Sequence, residues 1–168
     1  FMFENLNYTP MSQNREGVKS ILGSTSFLVT KTDTDGSSYI DYYLDAGVKT
    51  NVAPMHLASR TKQEGASNES YGPVTGTVTS TLPEFGNRTL YGFYNFYNIG
   101  ATSSTEPMGA IKNGLQYAKD GKGVSQETKN KYLIPWNTKE RSITGGAIFI
   151  GSSYINVGQN TIYLQKFH

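Results

Sequence analysis

Apolar positions change period twice along the chain. Residues 1–13 read as an extended lead-in. Over 14–24 Val18, Ile21 and Leu22 share one face at helical spacing, with Gly23 near the end, which predicts a short helix. A turn cluster follows at 30–38. Residues 37–50 read as a second helix, capped by Ser37 or Ser38, with Ile40, Tyr43, Leu44, Gly47 and Val48 as its buried stripe. A third, about 53–64, opens with Pro54 in the first turn and closes before Gly65. Over 71–96 the pattern shifts to Thr, Val, Tyr and Phe punctuated by Gly and Pro. Here Val74–Thr81 and Thr89–Phe96 read as two strands joined by a tip at 82–87. Helical spacing returns at 106–121, where Pro107 precedes Met108, Ile111, Leu115 and Ala118 in phase and Gly121 ends the run. Residues 124–136 read as a short helix or an irregular loop. A strong helix is predicted over 138–156 and a last one over 159–167. The glycine pair Gly145–Gly146 inside the long helix implies close approach of another helix, or merely a weakened one. The predicted class is α+β and predominantly α-helical: six or so helices and a small β-hairpin after the third.

Composition adds little to the class and something to the surface. A chain of 168 residues is long enough for one domain with a real core. Hydrophobic residues make up only 36%, and 12 Tyr and 8 Phe compensate. The excess of Tyr over Phe points to a wet, hydrogen-bonding groove of the kind carbohydrates occupy. The net charge of +2 is spread without a basic run, so nothing favours nucleic acid, and an anionic surface would be tolerated. With no cysteine, disulfides, thiolate metal sites and cysteine nucleophiles are excluded. No apolar run reaches the roughly 18 residues of a transmembrane helix, and no signal peptide opens the chain.

Candidate chemistry begins with Glu64. It falls in the last turn of the third helix, where the negative end of the dipole disfavours an ionised carboxylate. Burial would push the same way, toward the pKa of a general acid, while Arg60 one turn back would oppose it. On pattern alone, a solvated glutamate paired with Arg60 or Lys62 is the commoner outcome. Glycoside hydrolysis needs a second carboxylate. Glu69 would sit on the loop leaving the helix. Glu84, at the predicted hairpin tip, either faces Glu64 across a groove or is an exposed turn residue. The run "LYGFYNFYNIG" (90–100) alternates faces in a strand, so that Tyr91, Phe93, Tyr94, Phe96 and Tyr97 divide between core and a sugar-stacking wall. Asn95 or Asn98 could bind an N-acetyl or hydroxyl group. "DTDG" (33–36) has Leu44 where a calcium loop needs glutamate, and reads as a turn. His56 and His168 do not make a metal site, and no serine-hydrolase elbow is present.

Four ordered segments together resemble glycoside hydrolase family 73, the endo-β-N-acetylglucosaminidases that cleave peptidoglycan on a lysozyme-like fold. His56, Ala58 and Ser59 lead to Glu64 as in the family's helix ending in the catalytic acid. "YNFYNIGA" (94–101) is similar to the segment after its β-lobe. "WNTKERSITGGAIFIGSSYI" (136–155) is similar to the stretch where an aromatic and then Ser142–Ile143 open a long helix. "GQNTIYLQKF" (158–167) is similar to the closing segment with its functional tyrosine, here Tyr163. The likeness runs from about residue 14 to the end. One departure is plain: "GASNES" lacks the tryptophan that many members carry after the glutamate.

The resemblance implies a single lysozyme-like catalytic domain over 1–168, with a β-lobe at about 71–96, belonging to a longer secreted modular protein. It implies hydrolysis of the β-1,4 bond between N-acetylglucosamine and N-acetylmuramic acid, with Glu64 as the acid. The family's second carboxylate varies in position and generally lies on the β-lobe, where this chain has Glu84. Tyr163 would orient the substrate or stabilise positive charge. Tyr91, Tyr94, Asn95, Phe96, Tyr97 and Asn98 would bind sugar. The expected partner is the peptidoglycan glycan strand, acted on by a monomer that is wall-associated, needs no cofactor or metal, binds no nucleic acid and does not insert into a membrane. A muramidase on the same fold and a non-catalytic wall-binding module are the other readings.

Overall fold

The computed structural model describes residues 11–79, 90–105 and 107–156. Among the described residues, regular structure is helical, and the chain divides into two compact units, residues 1–67 with 147–168 and residues 68–146.

In the first unit α1 (Met11–Leu22), α3 (Tyr39–Thr50) and α4 (Pro54–Gln63) pack on one another, and short α2 (Phe27–Thr30) packs on α1 and α3. Ser26 caps α2, a helix the apolar spacing did not reveal because it has only four residues. Of the two serines proposed to cap α3 it is Ser38 whose Oγ accepts the Ile40 N–H, at 3.2 Å. The α3 stripe is buried at Ile40, Tyr43, Leu44 and Gly47, but Val48 is 58% exposed. The stripe ends at Gly47 because Pro54 packs directly on it, and Val48 lies one position further round the helix. "DTDG" is a turn, as expected. Asp33 accepts the Thr34 N–H and the Tyr42 hydroxyl, Asp35 accepts the Ser37 N–H, and Thr32 and Ser38 form an antiparallel bridge.

In the second unit α5 (Gly72–Thr75) packs on α6 (Gly109–Asp120), and α7 (Gln126–Lys131) is capped by Ser125. The strand predicted from Val74 is corrected here. Pro73 starts a helical turn that takes in Val74 and Thr75, and Gly76 ends it in the left-handed region. Beyond it the chain does approach itself antiparallel. Leu90 N–H bonds the Val78 carbonyl at 2.9 Å and Gly92 N–H bonds that of Gly76 at 2.8 Å. Residues 91–92 and 96–97 are turns, so 90–96 is no regular strand. Val78, Leu90 and Leu115 form a small core here, with Phe93 and Ile111 against it. The predicted tip at 82–87 and the helix over 159–167 lie outside the described residues.

The long helix α8 (Lys139–Asn156) is as predicted, and among the described residues the atoms nearest its glycine pair belong to a loop and aromatic rings. A Cβ on Gly145 would overlap the Tyr132 carbonyl and the Trp136 indole, and one on Gly146 would overlap the Tyr97 ring. The glycines make room for a loop and two aromatic rings. The tyrosine excess likewise serves the core as much as any groove, since Tyr39, Tyr42, Tyr43, Tyr97 and Tyr117 are buried. No described helix is long and apolar enough to cross a membrane.

Candidate functional site

Glu64 is the C-cap of α4 and is partly exposed. Its helix end is closed by a Schellman arrangement. Glu64 N–H reaches the Arg60 carbonyl at 3.1 Å, Gly65 N–H that of Lys62 at 3.0 Å, and Ala66 N–H that of Thr61 at 3.0 Å. The motif needs a left-handed residue after the cap, and Gly65 supplies it with φ +86°. The last turn is also held from within. Thr61, fully buried, bonds the Leu57 carbonyl and meets the Tyr43 hydroxyl at 2.8 Å. Past the cap, Ala66 is fully buried and the Ser67 carbonyl accepts from Ser26 Oγ at 2.6 Å. Glu64 therefore stands on a backbone fixed on both sides, with its side chain on a surface. His56 and Ala58, earlier on α4, are buried.

The aromatic run is divided by burial. Tyr91 is 53% exposed and Tyr94 partly exposed. Three residues expected to bind sugar belong instead to the interior. Asn95 is buried, and its Nδ2 donates to the carbonyls of Ile99 at 2.7 Å and Gly114 at 2.9 Å while its Oδ1 accepts the Ile99 N–H. Phe96 is fully buried, and its N–H bonds Ser142 Oγ. Tyr97 is buried with its hydroxyl on the Ile143 carbonyl at 2.9 Å. None of the three leaves a surface for a ligand to touch. A turn at 96–97, rather than a continuous strand, places these consecutive residues all inward. Asn98 is partly exposed, takes a positive φ of 53°, and donates to the Tyr71 hydroxyl. Glu84 and Tyr163 lie outside the described residues. Among the described residues no group of three or more His, Cys, Asp or Glu side chains could hold a metal ion.

The role of Arg141 carried no sequence signal. Arg141 donates from Nε to the Pro135 carbonyl at 2.9 Å and from Nη2 to the Leu133 carbonyl at 2.7 Å. It thereby holds a loop whose Leu133 sits at φ +62°. Trp136, fully buried in the same loop, donates from its indole to the Tyr132 carbonyl, and its backbone bonds Ala118 and Tyr94. Lys139 places its ammonium 5.1 Å from the centre of the Tyr94 ring.

No family model matches the chain, and no solved structure matches it. The chain is similar to the bifunctional autolysin of Staphylococcus epidermidis, 27% identical over 126 residues, which are 75% of this chain and 8% of that protein. It is also similar to the bifunctional autolysin of Staphylococcus aureus, 32% identical over 76 residues, 45% of this chain and 5% of that protein. The chain thus spans under a tenth of the length of these curated relatives.

Proposed function

We propose that this chain is the catalytic domain of an autolysin-type peptidoglycan hydrolase, specifically an endo-β-N-acetylglucosaminidase of glycoside hydrolase family 73 with a lysozyme-like fold. The observation that carries the reading is Glu64, a partly exposed carboxylate on a helix end locked by its own capping bonds. Acid catalysis requires a proton donor held in place relative to the scissile oxygen, and a fixed helix terminus provides that at no entropic cost during reaction. The similarity to proteins named bifunctional autolysin supports the substrate class. The protein acts outside the cell at the wall, as a monomer.

Glu64 protonates the glycosidic oxygen leaving between N-acetylglucosamine and N-acetylmuramic acid. Glu84, assigned by the resemblance, activates a water on the opposite face. This gives inversion for carboxylates roughly 6.5–9.5 Å apart. In the rival course the substrate's own acetamido group attacks and Tyr163 steadies the positive charge. Tyr91, Tyr94 and Asn98 face the sugar, and Asn95, Phe96 and Tyr97 form the framework behind them.

Zymography on purified peptidoglycan tests the reading. Glu64→Gln abolishes clearing, a loss of at least about a hundredfold for a general acid, while the circular dichroism of the variant matches wild type. Clearing by Glu64→Gln at the wild-type rate would refute the assignment. Glu84→Gln and Tyr163→Phe decide the second carboxylate and the tyrosine. The anomer formed first, read by NMR, separates inversion from acetamido participation. Mass spectrometry of reduced muropeptides separates this cleavage from that of a muramidase.

A further inference from the structure

We propose that Lys139, seated on Tyr94, is an anion-recognising subsite that takes a carboxylate carried by the glycan or its peptide stem. The inference deepens the function proposed above and rests on it.

The site is built in layers. At the base, Arg141 ties the Leu133 and Pro135 carbonyls, which fixes the loop leading to Trp136. The Trp136 carbonyl then accepts the Tyr94 N–H at 3.0 Å, setting the backbone from which the ring projects. Gly76 lets the hydroxyl end of the ring approach the chain closely, since a Cβ there would come within 2.6 Å of the Tyr94 hydroxyl. The Lys139 ammonium lies over that ring at 5.1 Å, within the reach of a cation–π attraction.

The arrangement favours a ligand because of what Lys139 leaves unused. A ring face binds an ammonium through its quadrupole and takes up none of its three N–H donors. Lys139 forms no ion pair with a carboxylate among the described residues. Thr138 already accepts the Arg141 N–H on Oγ1 and the Ser142 N–H on its carbonyl. What remains is a positive charge held in one place by an aromatic plate, next to the partly exposed segment assigned to sugar. A carboxylate answers that charge with charge-assisted hydrogen bonds, while the apolar face of the adjoining sugar can lie along the exposed edge of the aromatic segment. Recognition of this kind distinguishes a carboxylated wall glycan from a neutral one such as chitin.

The test is a sedimentation binding assay on two probes. One is peptidoglycan stripped of teichoic acid. The other is the same material with its carboxylates amidated by carbodiimide and methylamine. Wild type binds the untreated wall about tenfold more tightly, the effect of one charge-assisted contact. Lys139→Gln removes the preference and Lys139→Arg retains it. Lys139 is partly exposed, and both variants stay folded, which circular dichroism checks. An undiminished preference in Lys139→Gln overturns the proposal, as does a preference that appears only on walls retaining teichoic acid, which would assign the site to phosphate. Release of reducing sugar is measured in parallel. If wild type binds both walls and cleaves neither, the proposed hydrolase function fails. If it cleaves both and Lys139→Gln behaves as wild type throughout, only the subsite fails.

Discussion

The amide of Asn95 closes a loop on itself. One end takes two carbonyls, from Ile99 and Gly114, and the other accepts the Ile99 N–H, all out of reach of water. Truncating such a side chain strands buried backbone groups, which costs more than the bonds themselves contribute. Asn95→Ala is expected to destabilise the protein by about 2–4 kcal/mol in urea unfolding. A small change, under about 0.5 kcal/mol, would mean the amide binds ligand and not framework. The identity of Asn95 was visible in the sequence, but its role was not. An asparagine in an aromatic run looks the same whether it faces a sugar or a carbonyl, and the difference lies in the turn at 96–97. Arg141 was equally opaque, because its partners are carbonyls, which every residue carries. Glu64 was legible as a helix-ending carboxylate because proline and glycine mark both ends of α4 in the sequence.

At the scale of elements, the sequence read well wherever the period was long. The ranges of α3, α4 and α8 follow from apolar spacing and from Ser38, Pro54 and Gly65 at their ends. By contrast, α6 ends at Gly121 as read but starts at Gly109 and not at Pro107, because Met108 takes a left-handed conformation ahead of it and is exposed. It read poorly at α2 and α5, which have four residues each and no period to detect. The end of α4 is the element with most at stake. Replacing Gly65 with alanine puts a Cβ into the left-handed conformation, at about 1–2 kcal/mol, and weakens the Schellman bonds that fix Glu64. Gly65→Ala is expected to lower the denaturation midpoint and to slow peptidoglycan clearing together. Gly65→Asn, which tolerates that conformation better, should recover part of both. Stability lost with clearing unchanged would show that the capping bonds do not position the acid.

For the whole molecule, the aromatic composition has a consequence in pH. Burial holds the Tyr43 hydroxyl well above its ordinary value near 10, against a small opposing effect of its bond to Thr61. Tyr117 is also raised, by burial and then by the neighbouring Tyr132. The folded chain therefore keeps these protons more firmly than the unfolded chain. The stability they contribute is complete below pH 10 and is lost as pH rises above it. Each such tyrosine steepens the loss by up to about 1.4 kcal/mol per pH unit. Because Tyr43 lies in the first unit and Tyr117 in the second, both units should melt at falling temperature above pH 10. Tyr43→Phe should flatten the fall, and a melting temperature constant from pH 9 to 12 would contradict it. The sequence by itself determined a mostly helical chain, the termini of α3, α4 and α8, and one carboxylate set at a helix end, because period, proline and glycine act locally along the chain. Only the tertiary structure decided which aromatics are core and which are surface, what the paired glycines admit, and that Arg141 and Tyr94 stand behind Lys139. Those outcomes depend on contacts between residues far apart in sequence, where local pattern carries no information.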